Sequence, residues 1–346
     1  MTDRLSSWQM VEVNKPLELI EVPLPKPGPA EVLLEVTACG LCHTDVSFLY
    51  GGVRPRAPLP LTLGHEILGR VLEANGDPDL VGKTVIVPAV VPCGACDLCA
   101  AGRGNICLKQ LMPGNDFHGG FASHVVAPAR FLVPVPASLV GRRDLAVVSD
   151  AVATAYQSVV RSKLDEGQML VVVGAGGVGT FAIQVAKLLG AHVAAIDISS
   201  SRLEGVAKWV DLALDASTLG PRDIKGAVIA YEREHSLAAH GRKILECSGS
   251  PEGQQTAYSL LTFDATLVVV GFTREKVLVR LSNLMAFDAR AIGNWGCLPE
   301  HFPGLVDLIA DGQLELEPFV EEHPMSRLND LLLTESARRP VLIPDF

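Results

Sequence analysis

Of the eight cysteines in this chain, four crowd one short loop: Cys93-Gly-Ala-Cys96-Asp-Leu-Cys99, then Cys107. The spacing C-x2-C-x2-C-x7-C suits four thiolates around a tetrahedral Zn2+, since each short bend can turn one sulfur inward. Two other readings compete with it. A disulfide set is disfavoured in a reducing compartment, and an iron–sulfur cluster is disfavoured because no proline follows the last cysteine. A closed set of four leaves no place for a substrate, so this site would hold a loop and do no chemistry.

A second set is dispersed through Gly40-Leu-Cys42-His43-Thr44-Asp45, Gly64-His65-Glu66 and Ser149-Asp150. Cys42 offers a thiolate, His65 a neutral imidazole and Asp150 a carboxylate. Three such ligands leave a fourth zinc position open to water or an alcohol oxygen, whose pKa the metal would lower. Taken singly, a buried cysteine or a satisfied core histidine explains Cys42 or His65 better. Asp45 would either bond a ligand's ring nitrogen or an arginine, or cap the residues that follow it.

The third candidate is Val171-Val-Val-Gly174-Ala-Gly176-Gly177-Val178-Gly179, with Asp197 lying 23 residues after Gly174. On a strand entering a helix, the spaced glycines would let the chain turn, let its backbone approach a pyrophosphate, and let helix and strand pack closely. Asp197 would end the next strand, accept hydrogen bonds from the adenosine ribose and repel a 2′-phosphate, which favours NAD over NADP. A glycine turn in a nucleotide-free domain is the plainer alternative. A membrane span is another, because residues 168–186 carry no charge. The glycines in its middle, Lys187 directly after it and a second strand-like run at 192–196 argue against a span.

These groups need elements to hold them. At 346 residues the chain is long for one core and suits two domains. Up to about residue 145 it reads as β-rich, with short apolar runs at 31–37, 68–73 and 84–89 between Pro and Gly clusters. From 146 strands and helices alternate, through runs at 170–173, 192–196, 244–247 and 267–271, as in a doubly wound parallel sheet. From about 290 the alternation is lost and the chain is expected to rejoin the first domain. The expected domains are thus 1–145 with 290–346, and 146–289. A formal charge of −10 argues against nonspecific nucleic-acid binding. The N-terminus has no basic start followed by an apolar core, so no signal peptide is expected, and clustered cysteines then fit a reducing cytoplasm.

The order Gly-x-Cys-His-Thr-Asp, Gly-His-Glu, four-cysteine loop, Gly-Gly-Phe-Ala (119–122), Gly-x-Gly-Gly-x-Gly and Glu-Cys-Ser-Gly (246–249) resembles the zinc-dependent medium-chain alcohol dehydrogenases over nearly the whole chain. The resemblance implies an α/β protein with a GroES-like β-rich catalytic domain and a Rossmann cofactor domain, NAD, and two Zn2+ per chain, one catalytic and one structural. It implies Cys42, His65 and Asp150 as ligands of the catalytic zinc, with Asp150 where relatives often carry cysteine. Glu66 would approach that metal as a neighbour or exchanging ligand, and Thr44 would receive the substrate proton. Thr154 would pack on the nicotinamide. His43 would lie near the pyrophosphate, or simply be exposed. Arg202 would lie over the adenosine end, or be a surface arginine.

Ser47 stands where many relatives carry the histidine that ends a proton relay, so the proton must leave by another group or water. The stretches 115–120 and 293–297 are similar to the 6-hydroxycyclohex-1-ene-1-carbonyl-CoA dehydrogenases of anaerobic aromatic degradation. That resemblance implies a ring secondary alcohol on a CoA thioester, with Arg54 and Arg56 as phosphate contacts or as solvated loop arginines. A general secondary-alcohol or polyol dehydrogenase without a CoA site is the alternative, and a noncatalytic zinc- and NAD-binding protein is a more distant one. Relatives are dimers or tetramers, and the runs at 267–271 and 277–281 are candidate edge strands joining two sheets. No membrane partner is expected.

Overall fold

A computed structural model describes residues 4–346. Met1 to Asp3, the very start of the stretch read as lacking a signal peptide, lie outside them. The chain forms two compact units: one runs to Ala153 and resumes over Gly296–Phe346, and the other is Thr154–Trp295.

The first unit is built on a seven-stranded sheet ordered Val320–Pro324, Arg339–Ile343, Glu31–Gly40, Glu66–Ala74, Thr84–Val87 and Val133–Pro134, with His124–Pro128 also paired to Glu31–Gly40. A three-stranded sheet of Glu18–Pro23, Arg4–Met10 and Leu61–Thr62 accompanies it. The Glu31–Gly40 strand pairs with three others, so most of its residues are buried and its sequence, Glu-Val-Leu-Leu-Glu-Val-Thr-Ala-Cys-Gly, is nearly continuously apolar. Leu33, Leu34, Ile67 and Phe121 are among the fully buried side chains of this unit. Each contributes about 1.5–3 kcal/mol of burial.

Strand register, more than the core, positions the candidate ligands. Gly40 lies opposite Glu66 on one side and Val341 on the other. The residues just past Gly40, those at the start of the Glu66 strand and those of the C-terminal strand therefore meet at one end of the sheet.

The second unit is a six-stranded parallel sheet ordered Leu212–Asp215, His192–Asp197, Met169–Val173, Lys243–Glu246, Thr266–Val269 and Arg290–Gly293. Winding runs outward from Met169–Val173 in one direction and then the other, so the strand order reverses between Met169–Val173 and Lys243–Glu246. In doubly wound sheets that reversal opens a crevice at the carboxyl ends of the strands. All five residues of Met169–Val173 are buried, as a central parallel strand requires. The uncharged stretch 168–186 divides into this strand and the helix Gly179–Leu188. Among the described residues no helix is long and apolar enough to cross a membrane.

Three expectations are corrected. The parallel sheet continues past residue 290, since Arg290–Gly293 is its sixth strand; short and largely exposed, that strand lacks the apolar signature that marks the others. The run at 267–271 is not an edge, because Thr266–Val269 is paired on both sides, and 277–281 forms no strand at all. Residues 144–149 form a 3-10 helix of the first unit, tied to its sheet by Ser149 Oγ donating to Ile67 O at 3.2 Å and Ala89 N donating to Ser149 O at 3.0 Å. The wholly apolar Leu-Ala-Val-Val between Asp144 and Ser149 looks like the start of a new domain in sequence, but it packs backward.

Candidate metal centres and dinucleotide site

Cys42 is the residue before the helix His43–Leu49, and Asp45 closes that helix start by accepting from Cys42 N at 3.0 Å. The other Asp45 oxygen accepts from Gly64 N at 3.0 Å and lies 3.5 Å from His65 Nδ1. Both readings of Asp45 thus describe the same side chain: it caps the helix, and it faces the imidazole. Gly64 has φ +93, and a Cβ there would come 2.8 Å from Cys39 Sγ, so only glycine lets the chain deliver His65 at this angle.

The structure brings one ligand atom each of Cys42, His65 and Asp150 within 4.8 Å of one another. Cys42 Sγ is 3.8 Å from Asp150 Oδ2, and His65 Nε2 is 3.5 Å from the same oxygen. Ligands about 2.0–2.3 Å from a tetrahedral zinc stand roughly 3.3–3.8 Å apart, so these separations match. Both ring nitrogens of His65 are buried with no hydrogen-bond partner: the nearby carboxylates are at ion-pair distance but not in bonding geometry. A buried imidazole in that state could take a cation at Nε2, with Nδ1 facing Asp45. Burial opposes charging His65, yet the Asp45 charge and the Asp150, Asp45 and Cys42 side chains outweigh it and raise its pKa well above the usual value. Thr44 Oγ1 is 3.6 Å from Cys42 Sγ, and His43, beside it, is exposed.

Glu66 is fully buried and committed elsewhere. Its two oxygens accept from Arg339 Nη2 at 2.6 Å and Nε at 2.8 Å, and Oε1 also accepts from Ala151 N at 3.1 Å. Burial works against the charge on Arg339, but Glu66 outweighs it and holds the guanidinium well above its ordinary pKa. Glu66 therefore braces the residue next to Asp150. Sequence reasoning missed Arg339, since nothing in Ala337-Arg-Arg-Pro340 separates it from Arg338, and only burial does.

In the cysteine loop, Sγ separations are 3.9 Å for Cys93 and Cys99, 3.5 Å for Cys96 and Cys99, and 3.6 Å for Cys96 and Cys107. A Zn–S distance of about 2.3 Å places tetrahedral sulfurs roughly 3.8 Å apart, so the four fit that ion. The sulfurs also compete for charge. The Ala95 amide, then the Cys107 side chain, bring Cys93 down to about 6, while burial and then Cys96 push Cys99 up to about 11. A divalent cation removes that conflict by letting all four ionise.

In the second unit, Gly174 has φ +94 and a Cβ on it would come 2.6 Å from Ser248 N. A Cβ on Gly179 would run into Gly174 O, whereas one on Gly176 would meet nothing within 4 Å. The outer glycines are thus needed by the fold. Gly176 is free of any such demand, as expected where a ligand's phosphates approach the backbone. Val178 starts the helix Gly179–Leu188 with no side-chain cap, and Gly177 lies beside it, so the helix N-terminus is suited to an anion. Asp197 is buried at the end of its strand, accepting from Ala175 N at 2.8 Å and Ser199 N at 2.9 Å. Arg202 Nη1 stands 3.9 Å from Asp197 Oδ1. Thr154 is buried, and its carbonyl accepts from Asn294 at 3.5 Å.

Residues 28–137 match the alcohol dehydrogenase GroES-like domain, and residues 177–311 match the zinc-binding dehydrogenase domain. An NAD-dependent alcohol dehydrogenase of Sulfurisphaera tokodaii is 34% identical over 98% of this chain and 100% of its own length. The chain belongs to the zinc-dependent medium-chain alcohol dehydrogenase family. It is an oxidoreductase of that class, with the GroES-like and Rossmann domains of the family. A thermostable alcohol dehydrogenase from Pyrobaculum aerophilum with cobalt and zinc bound superimposes with TM-score 0.85 at 26% identity, covering 99% of this chain and 100% of that one. Acetophenone reductase from Geotrichum candidum in complex with NAD does so with TM-score 0.85 at 26% identity, over 99% and 98%.

Proposed function

We propose that the chain oxidises a secondary alcohol to a ketone with NAD at the Cys42, His65 and Asp150 site. The convergence of those three ligand atoms within 4.8 Å, around a buried imidazole whose ring nitrogens make no hydrogen bond, carries the reading. Zinc held there would supply the Lewis acidity that lowers an alcohol's pKa, and NAD would supply the hydride acceptor. The chain's own residues do the rest. Asp45 fixes the ring of His65, the Glu66 and Arg339 pair braces Asp150, and Thr44 takes the hydroxyl proton. Ser47 ends no relay, so that proton leaves by another group or by water. Gly174, Gly176, Gly177, Val178 and Gly179 cradle the pyrophosphate. Asp197 bonds the ribose with Arg202 beside it, and Thr154 packs on the nicotinamide. The cysteine set 93, 96, 99 and 107 holds a structural zinc. Thiol ligands in this number suit the cytoplasm.

Within that class a simple or polyhydroxylated secondary alcohol is favoured over a cyclic hydroxyacyl-CoA. Arg56, one of the two arginines assigned to a CoA arm, already pairs with Asp116 at 3.3 Å, and Arg54 is an exposed cation. The ketone named for acetophenone reductase points the same way. We also assign a homo-oligomer, because Arg290–Gly293 is an edge strand of the parallel sheet and Leu278, Leu281 and Met285 are apolar side chains exposed at 89%, 69% and 78%. The test is NAD reduction with a panel of secondary alcohols and polyols beside 6-hydroxycyclohex-1-ene-1-carbonyl-CoA, together with zinc analysis. Efficient turnover of free alcohols supports the assignment, turnover of the thioester alone restores the CoA reading, and zinc only at the four cysteines would favour a noncatalytic protein.

A further inference from the structure

Glu246 is a buried acid with no part in the alcohol oxidation. It ends the strand Lys243–Glu246, level with Val173 of the neighbouring strand, and is therefore at the point where the strand order reverses. Its Oε1 accepts from Ser248 N at 2.8 Å, Ser248 Oγ at 2.5 Å and Gly249 N at 3.1 Å. Its Oε2 is buried and accepts no hydrogen bond. A Cβ on Gly271 would come 2.8 Å from that oxygen, so the neighbouring turn leaves it uncrowded only because residue 271 is glycine. The same Ser248 amide lies against Gly174, the first glycine of the cofactor turn. Burial and then the Glu246 charge hold the thiol of Cys247, next in sequence, above its ordinary range.

A doubly wound sheet takes a dinucleotide with one mononucleotide over each half. Asp197 belongs to the half that takes the adenosine, and Glu246 tips the first strand of the other half. The two redox forms of the cofactor differ there by one unit of charge, since the oxidised nicotinamide ring is cationic and the reduced ring is neutral. A fixed anion in a low-dielectric site acts on the cationic form alone. We propose that Glu246 is an electrostatic positioning residue that biases this site toward the oxidised cofactor, NAD+ over NADH.

The proposal rests on the NAD assignment and is independent of the alcohol. Its test is the pair of dissociation constants, for NAD+ by calorimetry and for NADH by fluorescence, on the full-length zinc-loaded protein. Failure of the unaltered protein to bind either form would sink the NAD assignment itself. Glu246→Gln keeps the shape and the Oε1 acceptor but removes the charge. It should weaken NAD+ by at least about tenfold while leaving NADH within about twofold, since only the cationic ring interacts with the charge. Ser248→Ala removes a bond to the carboxylate but keeps the charge, and should leave the ratio of the two constants unchanged. Equal weakening of both forms in Glu246→Gln, or no change in either, overturns the proposal. Glu246→Met, also neutral, repeats the test if the glutamine variant does not fold, and failure of both to fold assigns Glu246 to the fold alone.

Discussion

Arg339→Met isolates the buried brace behind the candidate metal site. The wild-type side chains are 8% and 0% exposed for Arg339 and Glu66, and their two bonds measure 2.6 and 2.8 Å. Hydrogen bonds to charged groups contribute about 1.5–3 kcal/mol each. Removing one partner of a buried pair costs about 3–5 kcal/mol, because the survivor stays buried without its countercharge. The two routes agree. For a unit of roughly 200 residues, at about 2–4 °C per kcal/mol, the transition should fall by about 6–20 °C in calorimetry. Glu66→Gln added to Arg339→Met removes both charges while keeping an acceptor for Ala151 N, and should recover most of the loss. Because Ala151 N adjoins Asp150, the single variant should also lose zinc at that site while the four-cysteine zinc remains. A transition within about 3 °C of wild type, or a double variant no more stable than the single, would refute the reasoning.

Gly176→Ala and Gly179→Ala should separate binding from folding: the first has space for its methyl and should keep thermal stability while losing NAD affinity, whereas the second collides with Gly174 O and should lose both, as read by melting and NADH fluorescence. The raised pKa of His65 gives opposite pH dependences with and without metal. In the metal-free protein, protonated His65 contributes stability that is fully present below the unfolded-state pKa of about 6.5 and is lost as pH rises through the higher folded value. Zinc must displace that proton, so metal uptake at this site should weaken as pH falls through the same range, and a zinc titration insensitive to pH there would count against His65 as ligand. Cys93→Ser should lower zinc content by about one per chain and reduce thermal stability; loss of turnover with stability intact would mean the structural and catalytic sites are interchanged.

How much of the site is legible in the sequence depends on how local each feature is. The cysteine loop and the glycine turn are short-range patterns, and the structure gathers their residues within a few positions of where the spacing puts them. Cys42, His65 and Asp150 are separated by long stretches; their donor chemistry makes them a candidate set, but before the fold is seen only the family resemblance singles them out from the plainer readings of each residue. Their meeting depends on the register that sets Gly40 opposite Glu66, and bulges between Leu33 and Leu34 and between Val36 and Ala38 shift that register in ways no residue type announces. Arg339, and the role of Glu246 within its Glu-Cys-Ser-Gly run, are illegible for a related reason. Each is an ordinary charged residue whose role comes from burial, and burial comes from neighbours distant in sequence. The Arg290–Gly293 strand escapes notice because an exposed edge carries no apolar pattern. Charged groups that the fold buries are therefore the places where structure adds most to the sequence, since desolvation makes each of them costly unless something specific answers its charge. For Glu66 the answer is Arg339. For His65 the Asp45 and Asp150 carboxylates stand 3.5 Å away without bonding geometry, and one oxygen of Glu246 accepts no hydrogen bond; these are the physical grounds for assigning a cation to the first and a cationic cofactor ring to the second.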